Sequence, residues 1–249
     1  INADLTTNVF GGGNISKTIG TTNININNGA HTSAIYGGGN VGVLEGTSNV
    51  TINGGTSSVV YGGGNQALVT NSNVYVKGGN TDNVYGGGNQ SGAETTNIVI
   101  SGGTTKTIYG GSNQDGTVNK TAITAKDGTV TDIFGGNDEG GTCPETNIEQ
   151  NGTIVEDAIY GGGNQVATEN TNINLNKTQS TIPNVFGGGK SADATTTNIL
   201  VKGGDYTNIF GGSNTSGTVT TSNITAEEGN IKNIFGGNNE GGETVTSYV

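Results

Sequence analysis

Residues 85–110 read YGGGNQSGAETTNIVISGGTTKTIYG, and this stretch decides the fold. It begins with an aromatic residue and a glycine run, continues through a polar loop, and ends in two short segments rich in Ile, Val and Thr. Ile98 and Ile100 are two residues apart, which places both side chains on one face of a β-strand. A strand this short cannot bury its apolar face alone, so the pattern predicts that it stacks on copies of itself.

The same unit recurs ten times along the chain. A block of about four units is also duplicated, since FGGNDEGG at 134–141 returns as FGGNNEGG at 235–242. Units of this length supply too few strands for a propeller blade of about 40 residues. The sequence therefore predicts one all-β domain over 1–249, a parallel β-helix (β-solenoid) of about ten coils with a period near 25 residues. The aromatic residues that mark the units are Phe10, Tyr36, Tyr61, Tyr85, Tyr109, Phe134, Tyr160, Phe186, Phe210 and Phe235.

Glycine and asparagine recur at fixed places in the unit. Glycine pairs such as Gly78-Gly79 follow the strands, where a positive φ would turn the corner of the coil. The residue after most glycine runs is Asn, which predicts a stacked amide ladder. Lys190 departs from this ladder, and the units at Phe134 and Phe235 shorten the run to Gly-Gly-Asn. The predicted ladder comprises Asn14, Asn40, Asn65, Asn89, Asn113, Asn164 and Asn214.

The column of aromatic residues has two interpretations. Each ring follows an Ile or Val, and neighbours in a strand point to opposite faces. An internal ladder of stacked rings is favoured, because half of the rings are Phe and an exposed Phe stripe would promote aggregation. The alternative is an outward stripe that stacks on sugar rings. Its candidate glycan-stacking residues are Tyr36, Tyr61, Tyr85, Tyr109 and Tyr160.

Charge and composition exclude several classes of partner. The chain has 20 acidic residues and 9 lysines, no arginine, and a formal net charge of −11. Nucleic-acid binding relies on basic clusters and arginine, so nucleic acid is not an expected partner. No apolar run approaches the roughly 18 residues of a membrane span, so membrane insertion is not expected either. The single cysteine, Cys143, forms no internal disulfide, which is compatible with an exported chain.

Few residues are candidates for chemistry. His31 is the only histidine, so no histidine triad is available, and Cys143 has no histidine near it in the sequence. We predict no catalytic residue and no cofactor. A run of carboxylates is a weak candidate for a Ca²⁺ or other cation site, although solvated loop charge is the favoured interpretation. The run comprises Asp127, Asp132, Asp138, Glu139, Glu145, Glu149, Glu156 and Asp157.

In period and pattern, all 249 residues resemble the right-handed parallel β-helix repeats of secreted or cell-surface bacterial proteins, including adhesin-like stalks. The resemblance implies an extracellular, non-catalytic structural or adhesive role. It also implies a host or surface glycan or protein as partner. Because the chain begins at Ile1 without a signal segment, we expect a fragment of a longer protein, with flanking repeats or capping domains.

Three rival functions stay open. A carbohydrate-binding module would need exposed rings, and a polysaccharide-degrading enzyme would need convergent carboxylates. An ice-binding protein would need a flat face with regular Thr columns. The outward column of the Thr-Asn-Ile strands is too mixed for that last role. It reads Asn25, Thr51, Tyr75, Val99, Thr124, Glu149, Asn174, Leu200 and Thr225.

Overall fold

The computed structural model describes residues 1–249 as an all-β chain. No segment forms a helix long and apolar enough to cross a membrane. The strands are β1 (Val9–Phe10), β2 (Thr18–Ile26), β3 (Ala30–Tyr36), β4 (Leu44–Ile52), β5 (Thr56–Tyr61), β6 (Val69–Val76), β7 (Asn80–Tyr85), β8 (Ala93–Tyr109), β9 (Val118–Phe134), β10 (Glu145–Asn151), β11 (Ile154–Tyr160), β12 (Thr168–Lys177), β13 (Ile182–Phe186), β14 (Ala194–Phe210), β15 (Thr218–Phe235) and β16 (Glu243–Tyr248).

All strand pairs are parallel and form two stacks. The first stack carries the Thr-Asn-Ile segments and includes β2, β4, β6, β10, β12 and β16. The second stack carries the segments that end in an aromatic residue and includes β1, β3, β5, β7, β11 and β13. The long strands β8, β9, β14 and β15 pass through both stacks. Paired residues are one repeat apart, as in Ile98 with Ile123, which confirms the predicted parallel β-solenoid of about ten coils.

The aliphatic columns form the interior. A single apolar cluster of 28 buried residues runs along the solenoid and takes side chains from both stacks. Ile98 and Ile199 of the first stack and Ile108 of the second belong to it. The inward assignment of the Ile and Val columns is therefore confirmed.

A buried hydroxyl joins the two stacks in nine coils. In eight of these coils the donor is the Ser or Thr before the strand asparagine, and in the ninth it is Thr121, which precedes Ala122; the acceptor is the carbonyl of the first glycine after the aromatic residue. Thr96 donates to Gly110 at 2.6 Å and Thr121 donates to Gly135 at 2.7 Å. The threonine of the Thr-Asn-Ile motif is thus an interior residue that holds the glycine run in place.

Glycine is required for two different reasons. At the corners, Gly79 and Gly103 have φ values of +78° and +77°, which confirms the predicted turns. At the first glycine after the aromatic residue, the backbones of successive coils approach too closely for a side chain. A Cβ atom at Gly86 would overlap the carbonyl oxygen of Gly110 in the next coil.

One interior column of the second stack changes from polar to apolar. Ser57, Thr81 and Thr105 are buried, and their hydroxyl oxygens have no hydrogen-bond partner. The column continues as Val130 and Val155 in the following coils. An unpaired buried hydroxyl costs about 1–3 kcal/mol, so this part of the core is less stable than its aliphatic continuation.

We therefore expect Thr105→Val to raise the free energy of unfolding by about 1 kcal/mol, because valine keeps the shape and removes the unpaired hydroxyl. The matched control is Thr104→Val, which changes an exposed neighbour and should have little effect. Chemical denaturation of the two variants measures the difference. A Thr105→Val chain less stable than the parent would show that the hydroxyl has a partner after all.

Candidate functional site

The ten aromatic rings form one continuous stack. Neighbouring ring centroids are 4.5–5.0 Å apart with interplanar angles of 4–15°. The rings lie in an apolar cluster of their own, separate from the aliphatic core, and those from Tyr36 to Phe210 are buried. The structure thus contains the internal ladder of stacked aromatic rings that the sequence analysis favoured. Tyr36, Tyr61, Tyr85, Tyr109 and Tyr160 are buried, so the alternative of a glycan-stacking column has no exposed ring face in this structure.

Tyrosine hydroxyls tie this stack to the loops that follow the glycine runs. The Tyr61 hydroxyl accepts from Asn113 Nδ2 at 3.1 Å. The Tyr85 hydroxyl donates to Asp138 Oδ2 at 2.9 Å. Burial raises the pKa of Tyr61 to about 12 and also raises the pKa of Tyr85, so both phenols keep their protons at neutral pH.

The predicted amide ladder runs along the same loops. Asn65 Nδ2 donates to Asn40 Oδ1 at 2.9 Å, Asn89 to Asn65 at 3.1 Å, and Asn113 to Asn89 at 2.9 Å. Each amide thus bonds to its equivalent in the preceding coil. A second ladder lies beside it, in which Gln66 Nε2 donates to the next coil at 3.0 Å. Asn-Gln pairs therefore give this edge two parallel rows of amides.

The sequence suggested a shortened glycine run after Phe134 and Phe235, but in the structure both runs keep their full length. Asp138 and Asn239 occupy the ladder position, while Asn137 and Asn238 take the place of the third glycine. Asn137 Oδ1 accepts from the Ser112 backbone at 2.9 Å. Its Nδ2 donates to the carbonyls of Gly140 and Gly116 at 2.9 and 3.1 Å.

Asn238 makes the same set of bonds in the duplicated unit. Its Oδ1 accepts from the Ser213 backbone at 2.9 Å, and its Nδ2 donates to the Gly241 and Gly217 carbonyls at 2.9 and 2.8 Å. Asn137 and Asn238 are 101 residues apart in sequence, and each makes the same pattern of hydrogen bonds in its own coil. The asparagine that replaces the third glycine of each run is the sequence signal for these hydrogen bonds to the loop.

Asp138 and Glu139 replace an Asn-Gln pair with the corresponding acids. Asp138 is buried and accepts from Asn164 Nδ2 at 2.8 Å in addition to Tyr85. A carboxyl group lacks the N–H donor of an amide, so Asp138 makes no ladder bond to Asn113. Glu139 is exposed on the neighbouring column. This replacement of two amides by two acids is the clearest chemical departure from the repeat.

The eight acidic residues proposed as a weak cation site do not converge. No group of three or more His, Cys, Asp or Glu side chains is placed to hold a metal ion. The register of parallel coils brings equivalent positions together, and these carboxylates occupy different positions of the unit. They fall on the outer face of the first stack (Glu145, Glu149), a corner (Asp127), the outer side of the second stack (Asp132, Glu156, Asp157) and the loop edge (Asp138, Glu139).

Asp132 is the one carboxyl group in an unfavourable environment. It is half-buried, and its Oδ1 has no hydrogen-bond partner. Burial and the nearby Asp157 raise its pKa to about 6, with Lys190 acting in the opposite direction. Later coils have asparagine at this position, and Asn208 Nδ2 donates to Asn184 Oδ1 at 3.0 Å.

This raised pKa predicts a pH-dependent effect of Asp132→Asn. The folded chain favours the protonated acid, so its stability falls as the pH rises from about 4 through 6. The amide removes this penalty and should stabilise the chain by about 1 kcal/mol at pH 8, since solvent screens a half-buried group, and by little at pH 4. Thermal melts at the two pH values measure the difference. An equal effect at both pH values would contradict the assignment.

His31 and Cys143 lie in the interior of different coils. His31 Nε2 lies 3.2 Å from the Asn28 carbonyl oxygen. Burial raises the pKa of the Cys143 thiol to about 12, which keeps it protonated at neutral pH. Neither side chain is hydrogen-bonded to an ionisable side chain.

The outer face of the first stack carries another amide ladder that the sequence analysis missed. Asn49 Nδ2 donates to Asn23 and Asn73 Nδ2 donates to Asn49, both at 3.0 Å. The mixed outward column beside it, from Asn25 to Thr225, has the register that the repeat predicts. The Asn of every Thr-Asn-Ile motif was the available signal.

We found no protein-family model, curated protein or solved structure that matches this chain. The parallel β-solenoid is supported by the repeat and by the strand pairing of the chain itself. Chemically, its faces offer long rows of neutral amides and hydroxyls, which donate and accept hydrogen bonds at one-coil intervals.

Proposed function

We propose that the chain is a non-catalytic, extracellular β-solenoid that serves as a stalk or adhesive surface of a large bacterial surface protein. The observation that carries this proposal is the continuity of the ring stack. The ring stack passes through all ten coils without a gap larger than 5.0 Å between centroids. Each coil is thus held by its two neighbours, which is how a repeat protein forms a rod.

The surface chemistry supports adhesion to neutral partners. Amide ladders line the loop edge and the outer face of the first stack, and the three ion pairs are all exposed. The net charge of −11 without arginine disfavours anionic partners such as nucleic acid. A host or surface glycan or protein is the partner that these faces suit.

Polysaccharide cleavage is the second candidate function, and one observation favours it. Asp132, with a pKa raised to about 6, lies near Asp157, and acid/base cleavage uses a pair of carboxyl groups. Dispersal of the other carboxylates over separate surfaces supports the non-catalytic proposal instead.

The adhesive role is tested by binding of the purified chain to a glycan array and to cell surfaces. We expect saturable binding to a defined subset of glycans or cells. The Ile98→Asp variant, assayed above its melting temperature, controls for non-specific adsorption. Binding that does not saturate, or that the unfolded variant retains, would contradict the adhesive proposal.

A further inference from the structure

Four tyrosines of the ring stack form a continuous run of oxidisable groups. The chain has no Trp and no Met, so its tyrosine phenols are the most readily oxidised aromatic groups present. Tyr36, Tyr61, Tyr85 and Tyr109 occupy consecutive coils, with ring centroids 4.8–5.0 Å apart and interplanar angles of 5–15°. Rings stacked at this distance are in direct contact, so an electron vacancy on one ring can pass to the next.

Phenylalanine ends this run on both sides. Phe10 and Phe134 are the next rings in the stack. A phenyl ring has no O–H group to lose a proton and is harder to oxidise than a phenol, so a vacancy stays among the four tyrosines. Tyr160 lies beyond Phe134 and is followed by Phe186, which makes it an isolated phenol in the same stack.

A phenol is oxidised readily only when its proton leaves together with the electron, because the phenol radical cation is a very strong acid. The proton needs a base within hydrogen-bond reach of the hydroxyl. Tyr85 has such a base, since its hydroxyl donates to Asp138 Oδ2 at 2.9 Å. The hydroxyls of Tyr61 and Tyr160 bond instead to asparagine amides, which are far weaker bases than a carboxylate.

Asp138 is placed to take up this proton. It is buried, and both of its oxygens accept, Oδ2 from Tyr85 and Oδ1 from Asn164 Nδ2 at 2.8 Å. Protonation removes a charge from the interior, where an isolated charge is costly. Burial and the nearby Asp138 also raise the pKa of Tyr109, but the Tyr109 hydroxyl makes no hydrogen bond to this carboxyl group within 3.5 Å. Tyr85 is therefore the ring at which a vacancy in the run settles.

We propose that Tyr85 and Asp138 form a proton-coupled oxidation site that gives one electron to a one-electron oxidant in solvent, such as an oxidising radical or a high-potential metal complex. The oxidant gains the electron from Tyr85, directly or through a neighbouring ring of the run. The O–H bond of Tyr85 breaks and a new O–H bond forms at Asp138 Oδ2. The products are a neutral phenoxyl radical and a neutral carboxyl group.

The site is reversible and separate from adhesion. One electron from a reductant, together with the proton held by Asp138, restores the phenol of Tyr85. The proposed adhesive function neither requires this chemistry nor supplies evidence for it, so the two can fail independently.

The test oxidises the intact chain with a photogenerated ruthenium(III) polypyridyl complex. Transient absorption and electron paramagnetic resonance then follow the tyrosyl radical. Tyr75 and Tyr248 lie outside the stack, and the Tyr248 ring is exposed. Both are replaced by phenylalanine in a second background, so that radicals formed at the surface are distinguished from those in the stack.

Two variants remove the site, and each has a matched control. Asp138→Asn removes the base and introduces the residue that most coils have at this ladder position, so the fold is kept. Tyr85→Phe removes the phenol and introduces a ring that the same column already contains. Glu139→Gln removes the adjacent, exposed carboxylate, and Tyr160→Phe removes another buried phenol of the stack.

We expect the parent to form a long-lived radical, because a buried ring cannot couple with a second radical, and to form it more slowly in deuterium oxide. Asp138→Asn should slow its formation by about 100-fold, at the lower end of what a positioned base contributes. Tyr85→Phe should lose the long-lived radical, and the two controls should behave like the parent. The inference is overturned if the parent forms no long-lived radical, if Tyr85→Phe retains it, or if Asp138→Asn slows its formation no more than Glu139→Gln does.

Discussion

Replacing Ile98 by aspartate should lower the free energy of unfolding by about 4 kcal/mol or more, because it places a carboxylate among aliphatic side chains that offer no partner. Ile98 is completely buried in the aliphatic cluster and pairs with Val74 and Ile123 in the adjacent coils. The loss is a large part of the 5–15 kcal/mol that stabilises a typical domain. Thermal melts followed by far-UV circular dichroism measure the effect.

The adjacent residue supplies a matched control. Val99 points outward on the same strand and is half-buried. We expect Val99→Asp to cost less than about 1 kcal/mol, because the new carboxylate reaches water. Equal melting temperatures for the two variants would show that the inward assignment of the Ile and Val columns is wrong.

Removing one ring from the aromatic stack should also be severe. Phe186 is 2% exposed, and its ring centroid lies 5.0 Å from those of both Tyr160 and Phe210. Phe186→Ala leaves a ring-sized gap between two coils, and we expect a loss of about 3–5 kcal/mol. Chemical denaturation followed by tyrosine fluorescence measures the stability of the chain and reports on the environment of the buried tyrosine rings.

Tyr75 provides the comparison for this experiment. Its ring lies on the outer face of the first stack, beside the Lys77 ammonium group at 5.9 Å. Tyr75→Ala should cost less than about 1 kcal/mol, since it removes only a half-exposed ring. A similar small cost for Phe186→Ala would mean that the rings are not a second core.

The repeat itself made the architecture predictable. The spacing of Ile98 and Ile100 and the period near 25 residues determine which columns stack, and parallel stacking then fixes the register of every coil. The positive φ at Gly79 followed from the glycine pair, and the Asn65 ladder followed from its position after the glycine run. These features are local or depend only on the period.

Features that depend on the path of the loops were not predictable. Period-two reasoning implied that one of two adjacent columns is exposed, yet loops anchored at Tyr61 and Asn113 cover the rings. The hydroxyl of Thr96 reaches a carbonyl across the coil, and a strand pattern alone does not specify which polar residues lie inside. The acidic run looked continuous in sequence, whereas the coil distributes Asp127 and Asp138 to different surfaces.

The proposed absence of catalysis is tested most directly by product analysis. The chain is incubated with a panel of acidic and neutral glycans, and the mixtures are examined by mass spectrometry for new ends. We predict that no glycan is cleaved at any pH between 4 and 8, including the range in which Asp132 changes its protonation state. A defined hydrolysis or elimination product that disappears in Asp132→Asn, Asp138→Ala or Glu139→Ala would contradict the non-catalytic proposal.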